Sequence, residues 1–101
     1  MVRPRKNCRV AVDPRVNYFK PRGIPMYQLE SVALDVEEWE SLRLADFQGL
    51  THKEAGSIMG VSRPTFGRIL GRARGKVAEA LVHGKAIQIS KTFSGPEGNT
   101  E

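Results

Sequence analysis

The chain has 101 residues, 40% of them hydrophobic and 27% charged, and its 16 Lys plus Arg against 11 Asp plus Glu give a formal net charge of +5. That length fits one domain rather than a two-domain enzyme, and no run approaches the roughly 18 apolar residues a membrane span requires. A cationic excess suits a polyanionic partner, nucleic acid first, while the single Cys8 and the polar opening MVRPRKN point to a reducing cytoplasm rather than secretion.

The charge is segregated along the chain. Residues 1–34 carry seven basic and two acidic side chains, residues 35–50 one basic and five acidic, residues 51–76 six basic and one acidic, and residues 77–101 two basic and three acidic. Two basic regions therefore flank an acidic one, which gives one face that attracts phosphate and another that does not.

Residues 1–34 form a basic arm and loop. Pro4, Pro14, Pro21 and Pro25 exclude a long helix. Within this stretch Cys8 to Val12 alternates weakly and is expected as a short strand, Tyr18 to Pro25 as an ordered loop with apolar anchors, and Met26 to Ser31 as a helical turn. Arg3, Arg5 and Lys6, followed by Arg9, make a basic run suited to phosphate and to a minor groove.

A folded domain is expected over 35–90. Asp35 and Glu38 have the spacing of a capping box, with Leu34 and Trp39 as its hydrophobic staple. At 100° per residue, Val36, Trp39, Leu42 and Phe47 share one arc, so this first helix is expected to bury that side and to end at Gly49. Glu37, Glu38 and Glu40 are then expected as a solvated face and Leu44 as a contact for the N-terminal arm. Thr51 and Glu54 repeat the capping box and open a short helix that Gly60 closes. Ser62 caps a third helix by accepting the N–H of Thr65, with Pro64 in its first turn and Gly84 at its end. Ala86 to Ser90 alternates as a strand, and residues 91–101 have the composition of a disordered tail.

The fold class read from this pattern is mainly α: a trihelical helix-turn-helix core with an irregular proline-rich N-terminal arm and short terminal β-strands. The turn is Gly60-Val61-Ser62. Phe66, Ile69, Leu70, Ala73 and Val77 make the apolar seam with Ala55, Met59 and Val61, leaving Pro64, Thr65, Arg68 and Arg72 opposite. In such a motif the N-terminal side chains of the second helix reach base edges, so Arg63, Thr65 and Arg68 are the candidates for reading duplex DNA in the major groove. Lys53, Arg72, Arg74 and Lys76, with Arg3, Arg5 and Lys6, are the candidates for phosphate.

The opening RPRKNCRV, the stretch YFKPRGIP and the run from Leu29 through MGVSRPTFGR to Ile89 resemble an uncharacterised prokaryotic family of predicted DNA-binding proteins, whose helix-turn-helix is similar to the fourth region of sigma factors. The resemblance covers about residues 2–90 and implies DNA binding, with the turn at Gly60 to Ser62 and the recognition helix beginning at Arg63. Some members carry a second, metal-cluster-related domain after this module; here the tail is short and polar, so no role is carried over from it.

Other signals are weaker. Gly67, Gly71 and Gly75 recur every fourth residue, which fits close approach of a backbone or tolerated drift equally well. Cys8, His52 and His83 lack the spacing of a metal site, Trp39 with Phe47 at helical spacing reads as core rather than as a base-stacking platform, and no phosphate loop, nucleophile elbow or catalytic triad is recognisable. The expected function is a cytoplasmic DNA-binding transcriptional regulator, not an enzyme, with no cofactor and no metal. A homodimer would arise if Val10 to Val12 paired with Ile87 to Ile89 between chains, although pairing within one chain is equally open. The rival is a module that docks on the transcription machinery and touches nucleic acid only non-specifically, and structured RNA is a third partner compatible with the charge.

Overall fold

The computed structural model describes residues 9, 10, 14 and 16–90. In chain order these form β1 (Tyr18–Phe19), a 3-10 turn (Met26–Gln28), β2 (Ser31–Asp35), α1 (Val36–Leu42), a π-helical stretch (Arg43–Phe47), α2 (His52–Met59), α3 (Arg63–His83) and β3 (Ala86–Ser90). Three α-helices and a three-stranded sheet of order β1-β3-β2 make up the described fold.

The helix ends follow local chemistry. Asp35 accepts the Glu38 N–H at 3.0 Å while Glu38 accepts the Asp35 N–H at 3.1 Å, and Thr51 and Glu54 exchange the same pair of bonds at 3.1 and 2.9 Å. Gly60 and Gly84 close α2 and α3 at φ 74° and 67°, the left-handed region that glycine enters without steric cost.

The sheet departs from expectation. β3 pairs parallel with β2, Val32 opposite Ile87 and Leu34 opposite Ile89, and antiparallel with β1, Phe19 opposite Ile87. Of the expected strand at 8–12, Arg9 and Val10 carry no strand structure and the remainder lies outside the described residues. Both sides of β3 are therefore occupied within one chain, which closes the expected pairing of Ile87 to Ile89 with a second copy. β2 is short and runs directly into the N-cap of α1, but its alternation is real: Val32 and Leu34 are buried, Ser31 and Ala33 exposed. The helices connect the parallel pair β2 and β3, as a parallel connection requires.

Two apolar clusters hold the layers together. Leu44, Ala55, Met59, Phe66 and Leu70 join α2 to α3, and Leu34, Ala73 and Ile89 join α3 to the sheet, with Leu42 packed against both. Leu44 is thus a core residue packed with α2 and α3. The expected staple survives, since Trp39 packs on the cluster containing Leu34.

Helix α1 is where periodicity misleads. Glu37, Glu38 and Glu40, expected in solvent, are 1%, 1% and 0% exposed, whereas Phe47, expected inside, is 84% exposed. Two physical causes account for this. The Gln48 N–H bonds the Arg43 carbonyl at 2.9 Å, an i to i+5 bond whose wider turn rotates Phe47 off the 100° phase. Glu38 and Glu40, meanwhile, face cations instead of water. Glu38 Oε1 accepts Lys76 Nζ at 2.8 Å, Glu38 Oε2 accepts Arg72 Nε at 3.3 Å, and Glu40 takes Arg43 in a two-bond grip at 2.7 and 2.8 Å.

Two stability predictions follow from these contacts. A Cβ at Gly56 would sit 3.0 Å from the Val61 carbonyl oxygen, while one at Gly71 would meet nothing within 4 Å. Gly56→Ala is expected to lower the melting temperature, because overpacking costs about 1–3 kcal/mol against a propensity gain of about 1, and Gly71→Ala to raise it. Circular-dichroism melts of the two variants should move in opposite directions. At the ion cluster, Glu38→Gln preserves the cap and leaves two partly exposed cations to water. The Arg72→Ala/Lys76→Ala pair instead strands a buried carboxylate, so urea unfolding should show a loss of about 1–2 kcal/mol for the first and about 3–5 for the second.

Candidate nucleic-acid interface

Of the residues singled out for nucleic acid, Lys53 lies on α2, and Arg63, Thr65, Arg68, Arg72, Arg74 and Lys76 lie on α3. Ala55 and Met59 of α2 are fully buried against Phe66 and Leu70 of α3, so the two helices move as one unit. The turn is tight because Gly60 reverses the chain, the Val61 N–H bonds back to the Gly56 carbonyl at 2.9 Å, and Ser62 caps α3. The side chain of Gly56 is absent where the turn passes closest to α2.

At the start of α3 the expected base-reading residues are brought together. Ser62 Oγ accepts the Thr65 N–H at 3.2 Å and donates to Thr65 Oγ1 at 2.9 Å, and Arg68 Nη2 donates to the same Thr65 oxygen at 3.3 Å. Thr65 therefore links the helix cap to the Arg68 guanidinium and limits its rotamers. Arg63 and Arg68 are exposed and Thr65 half-buried. Among the described residues neither Arg63, Arg68 nor Lys53 forms an ion pair with a carboxylate.

The line of α3 farthest from the core is bare. Pro64, Gly71 and Gly75 fall within about 40° of one another, with Arg63 and Arg74 on one flank and Arg68 and Arg72 on the other. A Cβ at Gly71 or Gly75 would touch nothing within 4 Å, so no contact inside the described fold explains those glycines.

The expected phosphate residues divide into two groups. Lys53 is exposed in the first turn of α2. The cations of the middle of α3 are instead engaged with carboxylates of the α1 region. Lys76 bonds Glu38 and, at 2.8 Å, the Ala33 carbonyl of β2. Arg72 gives its Nε–H to Glu38 yet stays 45% exposed, and Arg74 grips Asp46 through Nε at 3.1 Å and Nη2 at 2.6 Å. The Arg74 hydrogen bond holds the Asp46 carboxyl below the usual carboxylate range, with Coulombic help from Arg74 and His52. Arg3, Arg5 and Lys6 lie outside the described residues, but the Arg9 N–H donates to the Met59 carbonyl at 2.7 Å, so the chain enters the fold at the carboxyl end of α2 beside the turn.

Sequence reasoning missed Glu38 and Asp46 as partners of this face, since they meet α3 from 28 to 38 positions away and no local pattern signals such pairs. The ring of His52 lies edge-on to Phe66, with centroids 5.4 Å apart. Among the described residues no cluster of His, Cys, Asp and Glu gathers as a metal site, and no helix is long and apolar enough to cross a membrane.

Comparison with known proteins places the chain among close relatives. A UPF0251 protein of Desulfosudis oleivorans is 52% identical over 101 residues, covering 97% of this chain and 73% of its own length. UPF0251 proteins of Desulforudis audaxviator and Caldanaerobacter subterraneus subsp. tengcongensis are 55% and 54% identical over 89 residues, which are 88% of this chain and 58% and 75% of their own lengths. No solved structure matches significantly. The family model described as "Protein of unknown function DUF134" matches residues 1–93, and the chain belongs to that family.

Proposed function

We propose that this protein is a DNA-binding transcriptional regulator of the cytoplasm, non-catalytic, in which α2, the turn and α3 act as a helix-turn-helix similar to the fourth region of sigma factors. The observation that supports this most is the start of α3, where exposed Arg63 and Arg68 flank a bare ridge and the Ser62–Thr65–Arg68 bonds hold one guanidinium in place before any ligand arrives. A side chain fixed in advance loses less entropy on binding, and Arg is the commonest reader of guanine in the major groove.

In this reading Arg63, Thr65 and Arg68 address base edges. Lys53 and the outward parts of Arg72 and Arg74 address phosphate, while Lys76 is chiefly a structural tie between α3, α1 and β2. Because Arg9 is pinned beside the turn and each residue spans at most about 3.6 Å, Arg3, Arg5 and Lys6 are within reach of a flanking groove. Two copies on an inverted repeat would set two recognition helices about one helical turn apart.

A second reading, docking on the transcription machinery, is favoured by one observation. Phe47, Leu81 and Val82 are each at least three-quarters exposed, apolar side chains that a protein partner would cover.

Selection from a random duplex library at about 150 mM salt tests the proposal, and enrichment of a defined motif is the expected result. On that motif Arg68→Ala should cost about 1–3 kcal/mol and relax preference at one base pair, whereas Lys53→Ala should weaken every duplex alike and reduce the salt slope by about one. No enriched motif, with binding that vanishes as salt rises, would reject sequence reading and favour docking.

A further inference from the structure

The Asp46–Arg74 pair differs from the other ion pairs that the cations of α3 make. Glu38 is buried, so withdrawing Arg72 and Lys76 from it would strand a charge, but Asp46 and Arg74 have side chains 41% and 55% exposed and can part into water. Exposed pairs of this kind contribute little to stability, so the fold does not depend on it.

Its geometry is that of anion recognition. Two carboxylate oxygens meet Nε and Nη2 of one guanidinium at 3.1 and 2.6 Å, the two-pronged arrangement in which arginine also takes a phosphate. The location matches as well. Arg63, Gly67 and Arg74 fall within about 40° of one another around α3. On this same flank the first turn of α2 comes close, where a Cβ on Gly67 would lie 3.8 Å from His52 Nδ1. Asp46 thus sits with Arg74 on the flank of α3 that the first turn of α2 approaches.

We propose that Asp46 is a stand-in for a nucleic-acid backbone phosphate: in the free chain it occupies the Arg74 guanidinium, and a phosphodiester displaces it on docking. Arg74 then exchanges one two-pronged anion for another, and no covalent bond changes. The inference rests on the DNA-binding reading and adds to it a cation withheld from weak, non-specific encounters until a phosphate is positioned well enough to compete. Arg72 and Lys76 cannot act in this way, because their partner is out of reach of water.

The test compares the full chain with Asp46→Asn, Arg74→Ala and the double variant, binding a mixed-sequence duplex of about two helical turns across a range of salt. Asp46→Asn should bind roughly three- to tenfold tighter, with a salt slope steeper by about one, and both gains should be absent when Arg74 is Ala. Unchanged or weaker binding by Asp46→Asn, or a gain that persists without Arg74, would overturn the inference, the latter because it would reflect net charge alone. If the unaltered chain binds no duplex at any salt, the DNA-binding reading fails by itself. The same four proteins are then titrated with long-chain inorganic polyphosphate, where an Arg74-dependent gain for Asp46→Asn supports the exchange and its absence overturns it. Circular-dichroism melts confirm that each variant is folded.

Discussion

A buried carboxylate, Glu38, is the constraint on which the arrangement of this protein depends. One oxygen receives the Asp35 N–H and Lys76 Nζ, the other Arg72 Nε, and Lys76 reaches on to the Ala33 carbonyl. A single side chain thereby ties the N-cap of α1 to the middle of α3 and, through Lys76, to β2. An ionised group this deep must be compensated by charge and hydrogen bonds, and here both are supplied from elements distant in the chain. Such an arrangement is directional, as hydrophobic packing is not, so it selects the register in which α3 lies across α1.

The same network sorts the cations of α3. Arg72, Arg74 and Lys76 are drawn towards the carboxylates of the α1 region, and Arg63 and Arg68 at the other end of the helix are left without an acidic partner among the described residues. The formal charge of +5 is consequently not spread evenly. Net charge sets how strongly a polyanion is attracted from a distance, but the unpaired cations decide which surface it meets. The exposed cations without an acidic partner among the described residues lie on the first half of α3 and at the beginning of α2, beside the bare line of Pro64, Gly71 and Gly75.

Much of the local structure is legible in the residues. Both capping boxes, the Ser62 to Thr65 bond and the Gly60 and Gly84 terminators depend on groups within three or four positions of each other. Neighbouring chemistry of that kind survives whatever the tertiary context, and it is enough to define α2, the turn and α3. The juxtaposition of Thr65 and Arg68 is legible for the same reason, since residues three apart on a helix are neighbours.

What lies beyond four residues is another matter. Helical periodicity divides α1 into an apolar arc and a polar one, and it equates polar with solvated, which holds only when the polar side faces water. Here Glu38 faces Arg72 and Lys76 and Glu40 is gripped by Arg43, so both are buried, and the π-helical turn carries Phe47 outward. β2 and the pairing of β3 with β1 are decided by contacts across more than 50 positions, beyond the reach of any alternation pattern. The sequence by itself determined the helix ends, the turn and the reserve of cations, because each is a matter of local hydrogen bonding or of counting. Only the tertiary structure decided which cations are neutralised and which remain exposed, because an ion pair requires proximity in space and chain order does not specify it.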